Sequence, residues 1–165
     1  MLDHRYHLAQ LNILRMRAPL YDPLMQGFVD RLEPINAIAD QAPGFVWRLQ
    51  GEEDNATAIR AFEDDRLIIN MSVWTSIESL RDYVYRGPHT EPLKRRQEWF
   101  EAIEGPTSVL WWVPAGHLPT AVEARQALDH LHRDGPTAAA FTFKDSFPPP
   151  ESPSRAGSIG LAGVR

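Results

Sequence analysis

The side chains best suited to chemistry gather in one stretch, Leu67 to Trp99. Its first half, LIINMSVW, reads as a strand, so Asn70, Ser72 and Trp74 share one face while Leu67, Ile69, Met71 and Val73 share the other. An amide and an indole on one face can hold a phenol or quinone by hydrogen bonding and stacking. A wetted sheet face or a subunit contact produces the same pattern. His89 follows in Arg86-Gly87-Pro88-His89, a turn where an imidazole can titrate near neutral pH and act as a base. The bland alternative is a surface turn residue or cap. Lys94, Arg95 and Arg96 form a basic run with Arg81 and Arg86 nearby, able to attract an anionic substrate. Pairing with Glu91 and Glu98 on a solvated helix face is the alternative. Asn12 and Gln10 can line the same pocket, and His117, in PAGH, can close its mouth. Trp47, Trp74, Trp99, Trp111 and Trp112 suit a core and an interface first and a cavity wall second.

The elements that must position these residues follow from periodicity. Tyr6 to Leu14 alternates as a strand, with Leu8, Gln10, Asn12 and Leu14 on one side. Asp22-Pro23 starts a helix carrying Leu24, Met25, Phe28, Leu32, Ile35 and Ile38, with a kink expected at Pro34, and Pro43-Gly44 ends it. Phe45 to Gln50 is a second strand, with Phe45, Trp47 and Leu49 on one face, and Ala58 to Phe62 can extend the sheet. After Trp74, Thr75 with Glu78 offers a capping box for a helix with the stripe Leu80, Tyr83 and Val84. A second helical run begins near Thr90 and carries Leu93, Arg96, Trp99, Phe100 and Ile103. Thr107 to Val113 is the next strand. The order β-α-β-β-α-β is the ferredoxin-like split unit, and right-handed crossovers place its first and third strands side by side, with Asn12 and Asn70 pointing the same way.

A C-terminal helix extension follows. Thr120 with Glu123 caps it, Ala121, Ala124, Leu128 and Leu131 form its stripe, and Gly135-Pro136 stops it. Ala138 to Phe143 suits a short edge strand. From Phe147 the Pro-, Gly- and Ser-rich sequence reads as a mobile tail, giving a domain over 1–147 and a tail over 148–165.

The chain has 165 residues, 43% hydrophobic and 24% charged, which fits one domain. Its net charge of −5 argues against a nucleic-acid or anionic-membrane binder. No apolar run suits a membrane span and no signal peptide is visible, so a cytoplasmic location is expected. The absence of cysteine excludes disulfides, thiolate nucleophiles and Cys-ligated metals. His4, His7, His130 and His132 form no metal pattern, so neither a metal nor another cofactor is expected.

LAQLNI, GFVWRLQ, NMSVW, YRGPH and LWWVPAGH together resemble a bacterial domain-of-unknown-function family of the dimeric α/β-barrel superfamily, over roughly residues 6 to 145. The resemblance implies an α+β, ferredoxin-like protomer that pairs sheet to sheet as a homodimer. The superfamily includes cofactor-independent, quinone-forming monooxygenases with an Asn and a Trp four residues apart on this strand, a spacing that Asn70 and Trp74 match. Tyr83 and Arg95 or Arg96 are the corresponding helix residues. The superfamily's heme degraders carry an Asn on the first strand and an aromatic on the helix, similar to Asn12 and Tyr83. Their axial His aligns near Leu93, one turn beyond His89.

Three functions are therefore in view. The first is a cofactor-independent monooxygenase on an aromatic or polyketide-like substrate, with His89 as base, Asn70 as oxyanion partner and Trp74 as stacking wall. The others are a non-catalytic small-ligand or stress protein using the same cavity, and a heme-binding protein. The expected geometry is one cavity shared by Asn70, Trp74 and His89, with Tyr83 and an arginine of the 94–96 run at its rim.

Overall fold

The structure, a computed structural model, describes residues 4–50, 62–86 and 95–151. Tyr6–Met16 forms β1, Gln26–Asp40 α1, Phe45–Arg48 β2 and Leu67–Trp74 β3. Ile77–Arg86 forms α2, Arg96–Trp99 the single turn α3 and Phe100–Glu101 the two-residue β4. Ser108–Pro114 is β5 and Ala121–Asp134 is α4. The sheet runs β2-β3-β1-β5 with every pair antiparallel, and β4 joins the same edge of β1 beyond β5. This is the ferredoxin-like order expected from the sequence.

β1 is the hub of the sheet. It pairs with β3 from Leu8↔Trp74 to Arg15↔Leu67 and with β5 from Tyr6↔Pro114 to Asn12↔Ser108. Asn12 lies directly opposite Asn70, so both amides project from the same face. That face carries the even-numbered residues of β1 and β3, and the odd-numbered ones form the other.

The even face meets α1 and α2 through two apolar clusters. At one end Leu8, Trp74, Leu80, Leu110 and Phe141 are buried together, with Phe45, Tyr83 and Val84 against them. At the other end Met16, Met25, Trp99 and Phe100 are buried, with Leu14, Phe28 and Ile68. Leu8 and Met16 stand eight residues apart on β1, about 26 Å along an extended strand. Polar residues of the even face, Gln10, Asn12, Asn70 and Ser72, fall between the clusters.

The odd face is covered by the chain's own α4. Ala9, Leu11, Ile13, Met71, Val73, Val109, Trp111 and Val113 pack against Ala124, Ala127, Leu128 and Leu131. Sheet-to-sheet pairing of two copies needs an open sheet face opposite the helices. α4 closes that face, so pairing through it requires α4 to leave.

Local chemistry explains the element ends. Asp22 accepts from the Leu24 N–H and opens a 3-10 turn, Pro23–Met25, ahead of α1. α1 runs unbroken through Pro34. The cap of α2 is Ser76, not Thr75: its Oγ accepts from the Ser79 N–H at 3.1 Å. Thr75 instead gives its N–H to the Gly44 carbonyl at 2.8 Å. Thr120 caps α4 by accepting from the Glu123 N–H. The Glu123 carboxylate does not close a capping box, because His117 and Trp111 hold its two oxygens.

Three other expectations change. A β-bulge between Phe45 and Trp47 breaks the alternation of β2. Phe45 therefore joins the even-face cluster, while Trp47 and Leu49 pack on the odd face. The helical run expected from Thr90 is described only from Arg95, where α3 gives way to β4. In place of a strand at Ala138 to Phe143 there are two isolated bridges, Leu110 to Phe141 and Thr137 to Ala140. Phe147 is docked: its carbonyl accepts from Trp112 Nε1 at 2.8 Å and its ring lies 6.0 Å from Phe141. The possible strand at Ala58 to Phe62 falls almost wholly outside the described residues, as do residues 152–165.

Candidate functional site between the sheet and the first two helices

Trp74 is 1% exposed. Tyr83, from α2, stacks on it at 5.1 Å between centroids and 28° between planes, and Phe45 meets it edge-on at 5.5 Å. Trp74, expected as the stacking wall, therefore offers no open face to a ligand; Tyr83 covers it, with Trp74 as its backing. Tyr83 lines a cleft of about 440 Å³ between the end of α1 and α2, together with Ile38, Gln41, Ala42, Pro43, Ser79, Asp82 and Arg86. It is a half-open groove, large enough for a small molecule, with an aliphatic and aromatic wall and polar residues at its rim.

Two devices set the shape of the cleft. Gly44 has φ +82, and a Cβ there would lie 2.2 Å from Ser79 Oγ and 2.5 Å from Ser79 Cβ. Only glycine allows the turn after α1 to press this closely on the start of α2. Asp40, at the end of α1, accepts from Arg48 Nε at 2.7 Å and from Nη2 at 3.3 Å. This fork ties α1 to β2 and holds the Asp40 carboxyl below its ordinary range. Burial raises the Tyr83 phenol above its ordinary value; Asp40 adds to the shift and Arg48 opposes it. Tyr83 is therefore a neutral hydrogen-bonding group at neutral pH, not a base.

A hydrogen-bonded chain runs beneath the aromatic stack. Trp74 Nε1 donates to Ser72 Oγ at 2.8 Å, and Ser72 Oγ donates to Gln10 Oε1 at 2.7 Å. Gln10 pairs across the sheet with Ser72, and Asn12 with Asn70. Asn70 is exposed, whereas Asn12 and Gln10 are half-buried. Asn70 and Trp74 thus share a face as expected, with Ser72 between them.

The other candidates lie elsewhere. Arg95 pairs with Glu98 at 2.8 Å and sits 5.1 Å over the Trp99 ring, and Arg96 is exposed one residue on. Trp99 belongs to the cluster at the Met16 end, so these arginines cannot rim a site at Trp74. Trp47 is across the sheet because of the bulge. His117 bonds Glu123 at 2.7 Å, beside Trp111 of the odd face, and so closes no part of the cleft. His89 and Lys94 lie outside the described residues. Among the described residues no three His, Asp or Glu side chains are grouped to hold a metal ion. None of the described helices is long and apolar enough to cross a membrane.

Asp40, Arg48 and the Ser72–Gln10 link leave no signal in the sequence, and Gly44 reads there only as a helix stop. Ser72 was visible through its period-two spacing with Trp74. Arg48 reaches this face only because of the bulge, which no residue pattern announces.

Among solved structures the chain is similar to SnoaB, a cofactor-independent oxygenase from Streptomyces nogalater, at 19% identity over 68% of this chain and 95% of that one, with a TM-score of 0.41. A point variant of SnoaB aligns at 16% identity with the same coverage and TM-score. A protein of unknown function from Nitrosomonas europaea, NE2512, aligns at 14% identity over 72% of this chain and 99% of that one, again with a TM-score of 0.41. No curated protein matches the chain. The model of the domain of unknown function DUF3291 matches residues 7–157, nearly the whole chain, and the protein belongs to that family.

Proposed function

We propose that the protein binds a planar aromatic or polyketide-like molecule between the sheet and α1–α2, and that it oxygenates this molecule without a cofactor. The observation that carries the binding reading is the cleft of about 440 Å³ walled by Tyr83, itself fixed against a fully buried Trp74. An aromatic wall backed by a second ring is rigid, so stacking a ligand on it costs little side-chain entropy. In the proposed reaction the deprotonated substrate itself reduces oxygen. An anthrone and one O2 then give a quinone and one water. The neutral Tyr83 phenol supports this chemistry as a partner for a substrate oxygen, and His89 remains the proposed base.

One observation favours the second reading, a ligand-binding protein without turnover. Among the described residues lining the cleft there is no histidine, and the phenol present is held protonated.

The test combines thermal shift with an oxygen electrode, using 1-naphthol, 1,4-naphthoquinone and anthrone. Binding of any of them to the native state raises the melting temperature by mass action. Oxygen uptake with anthrone that is lost in His89→Ala, with binding retained, supports the enzyme. Binding without uptake leaves the binding protein. No shift with any probe refutes both.

A further inference from the structure

We infer that the arginines gathered round Trp99 form a second binding site, for the diphosphate group of a small molecule, at the far end of the even face from the cleft. The inference is independent of the aromatic-ligand reading. It gives a place to the basic run that the cleft does not use.

Three separate elements bring the arginines together. Arg31, from α1, and Arg95, just before α3, place their guanidinium carbons 5.5 and 5.1 Å from the centroid of the Trp99 ring. Arg17, directly after β1, gives its backbone N–H to the Trp99 carbonyl and its Nε to the Gln97 carbonyl, both at 2.8 Å. Arg96 is exposed at the start of α3. Trp99 is 3% exposed and packed with Met16, Met25 and Phe100, so the core fixes the platform beneath them. Arg31 Nη1 bonds the Gly27 carbonyl at 2.7 Å. Among the described residues the side chains of Arg17 and Arg31 make no other hydrogen bond. A guanidinium has five N–H donors, so most of each fork stays open to an oxyanion.

The charges do not cancel. Among the described residues one carboxylate pairs with these four arginines: Glu98, which accepts from Arg95 at 2.8 Å. Hydrogen bonding to Arg95 holds the Glu98 carboxyl below its ordinary range, and the charge of Arg31 adds to this. The other acids nearby on these elements have other places. Asp22 caps the turn before α1, and Asp30 accepts from Gln26 at 2.7 Å. Glu33 lines a separate hollow with Asp40 and Arg48, and Glu101 lies opposite Arg15. Arg31 and Arg95 repel each other across one ring, in a chain whose net charge is −5. An oxyanion relieves that repulsion, and guanidinium forks match phosphate oxygens two at a time. Arg17, Arg31 and Arg96 come from three elements, so two linked phosphates span them better than one.

The test is calorimetric titration of the full chain with pyrophosphate, ADP and sulfate at low salt, where screening is weak. Wild type should bind one pyrophosphate per chain, at least about tenfold tighter than sulfate. Tighter binding of ADP assigns a diphosphate carried on a larger molecule, and equal or weaker binding a free one. Arg31→Gln and Arg17→Gln should each weaken pyrophosphate binding by about tenfold, the scale of one charge-assisted hydrogen bond. Arg133→Gln, the same charge change on α4, should stay within about twofold of wild type. Glu98→Gln removes the competing carboxylate and should tighten binding severalfold, which keeps the inference testable if an arginine variant fails to fold. No binding of pyrophosphate to wild type overturns the inference, as does equal weakening by Arg133→Gln. Sulfate bound as tightly as pyrophosphate means an adventitious ion only and also overturns it. So does a Glu98→Gln protein that binds pyrophosphate no tighter than wild type.

Discussion

Ser72→Ala should cost far more than the loss of one small side chain. Ser72 is 7% exposed and Trp74 1%, so neither polar group has ready access to water. Removing Oγ strands the Trp74 N–H in the core and takes the donor from Gln10 Oε1. A stranded buried donor costs about 1–3 kcal/mol, whereas half-buried Gln10 can turn to solvent for much less. The expected loss is about 2 kcal/mol, or roughly 4–8 °C in melting temperature for a domain of this size. Phe at position 74 has no N–H to strand, so Ser72→Ala in a Trp74→Phe background should cost under about 0.5 kcal/mol. Urea melts of the four proteins, followed by far-UV circular dichroism, give this cycle directly. A cost below about 0.5 kcal/mol in wild type, or equal costs in both backgrounds, would refute the claim that the chain from Trp74 to Gln10 is closed and dry.

Three further outcomes follow from the same geometry. Gly44→Ala should destabilise by more than about 1 kcal/mol, since it adds left-handed strain to the overlap with Ser79, and chemical denaturation reads it. Tyr83 has a raised pKa, so above the ordinary tyrosine value the unfolded chain loses a proton that the native state keeps. Native stability contributed by the protonated phenol is therefore full below about pH 10 and falls as pH rises toward the folded value, and Tyr83→Phe should flatten that alkaline decline. Because α4 fills the odd face, a homodimer seen by light scattering should pair through another surface, and a Leu128→Asp variant should lose stability without changing oligomeric state. A wild-type dimer that Leu128→Asp dissociates would mean that α4 is exchanged between two copies.

Much of the frame was legible because it rests on periodicity. Alternation in LAQLNI and LIINMSVW, with the helix stripe Leu80, Tyr83 and Val84, sufficed for the strand order and for Asn12 facing Asn70. The helix after Pro114 was also visible, through Thr120 and its alanine and leucine stripe. Its docking place was not, because a stripe shows that a face is buried and not against what. The site was harder to read for three physical reasons. The bulge at Val46 exchanges the sides that Trp47 and Arg48 would take by simple alternation from Phe45, and one inserted residue leaves no compositional trace. Arg95 looked near Tyr83 in sequence, yet it sits over Trp99 at the far end of the even face. Trp74 looked like a ligand wall because an indole suits either role, and only packing shows that Tyr83 and Phe45 already cover it.

The central claim is that the ligand sits on the helix side of the sheet, against Tyr83. Binding of 1,4-naphthoquinone to two bulky variants tests it most directly. Ile38→Trp fills the cleft, and Val122→Trp adds the same bulk to an exposed position on α4. With both variants folded, binding should disappear in Ile38→Trp and match wild type in Val122→Trp. Unchanged binding in Ile38→Trp would place the ligand elsewhere and contradict the account.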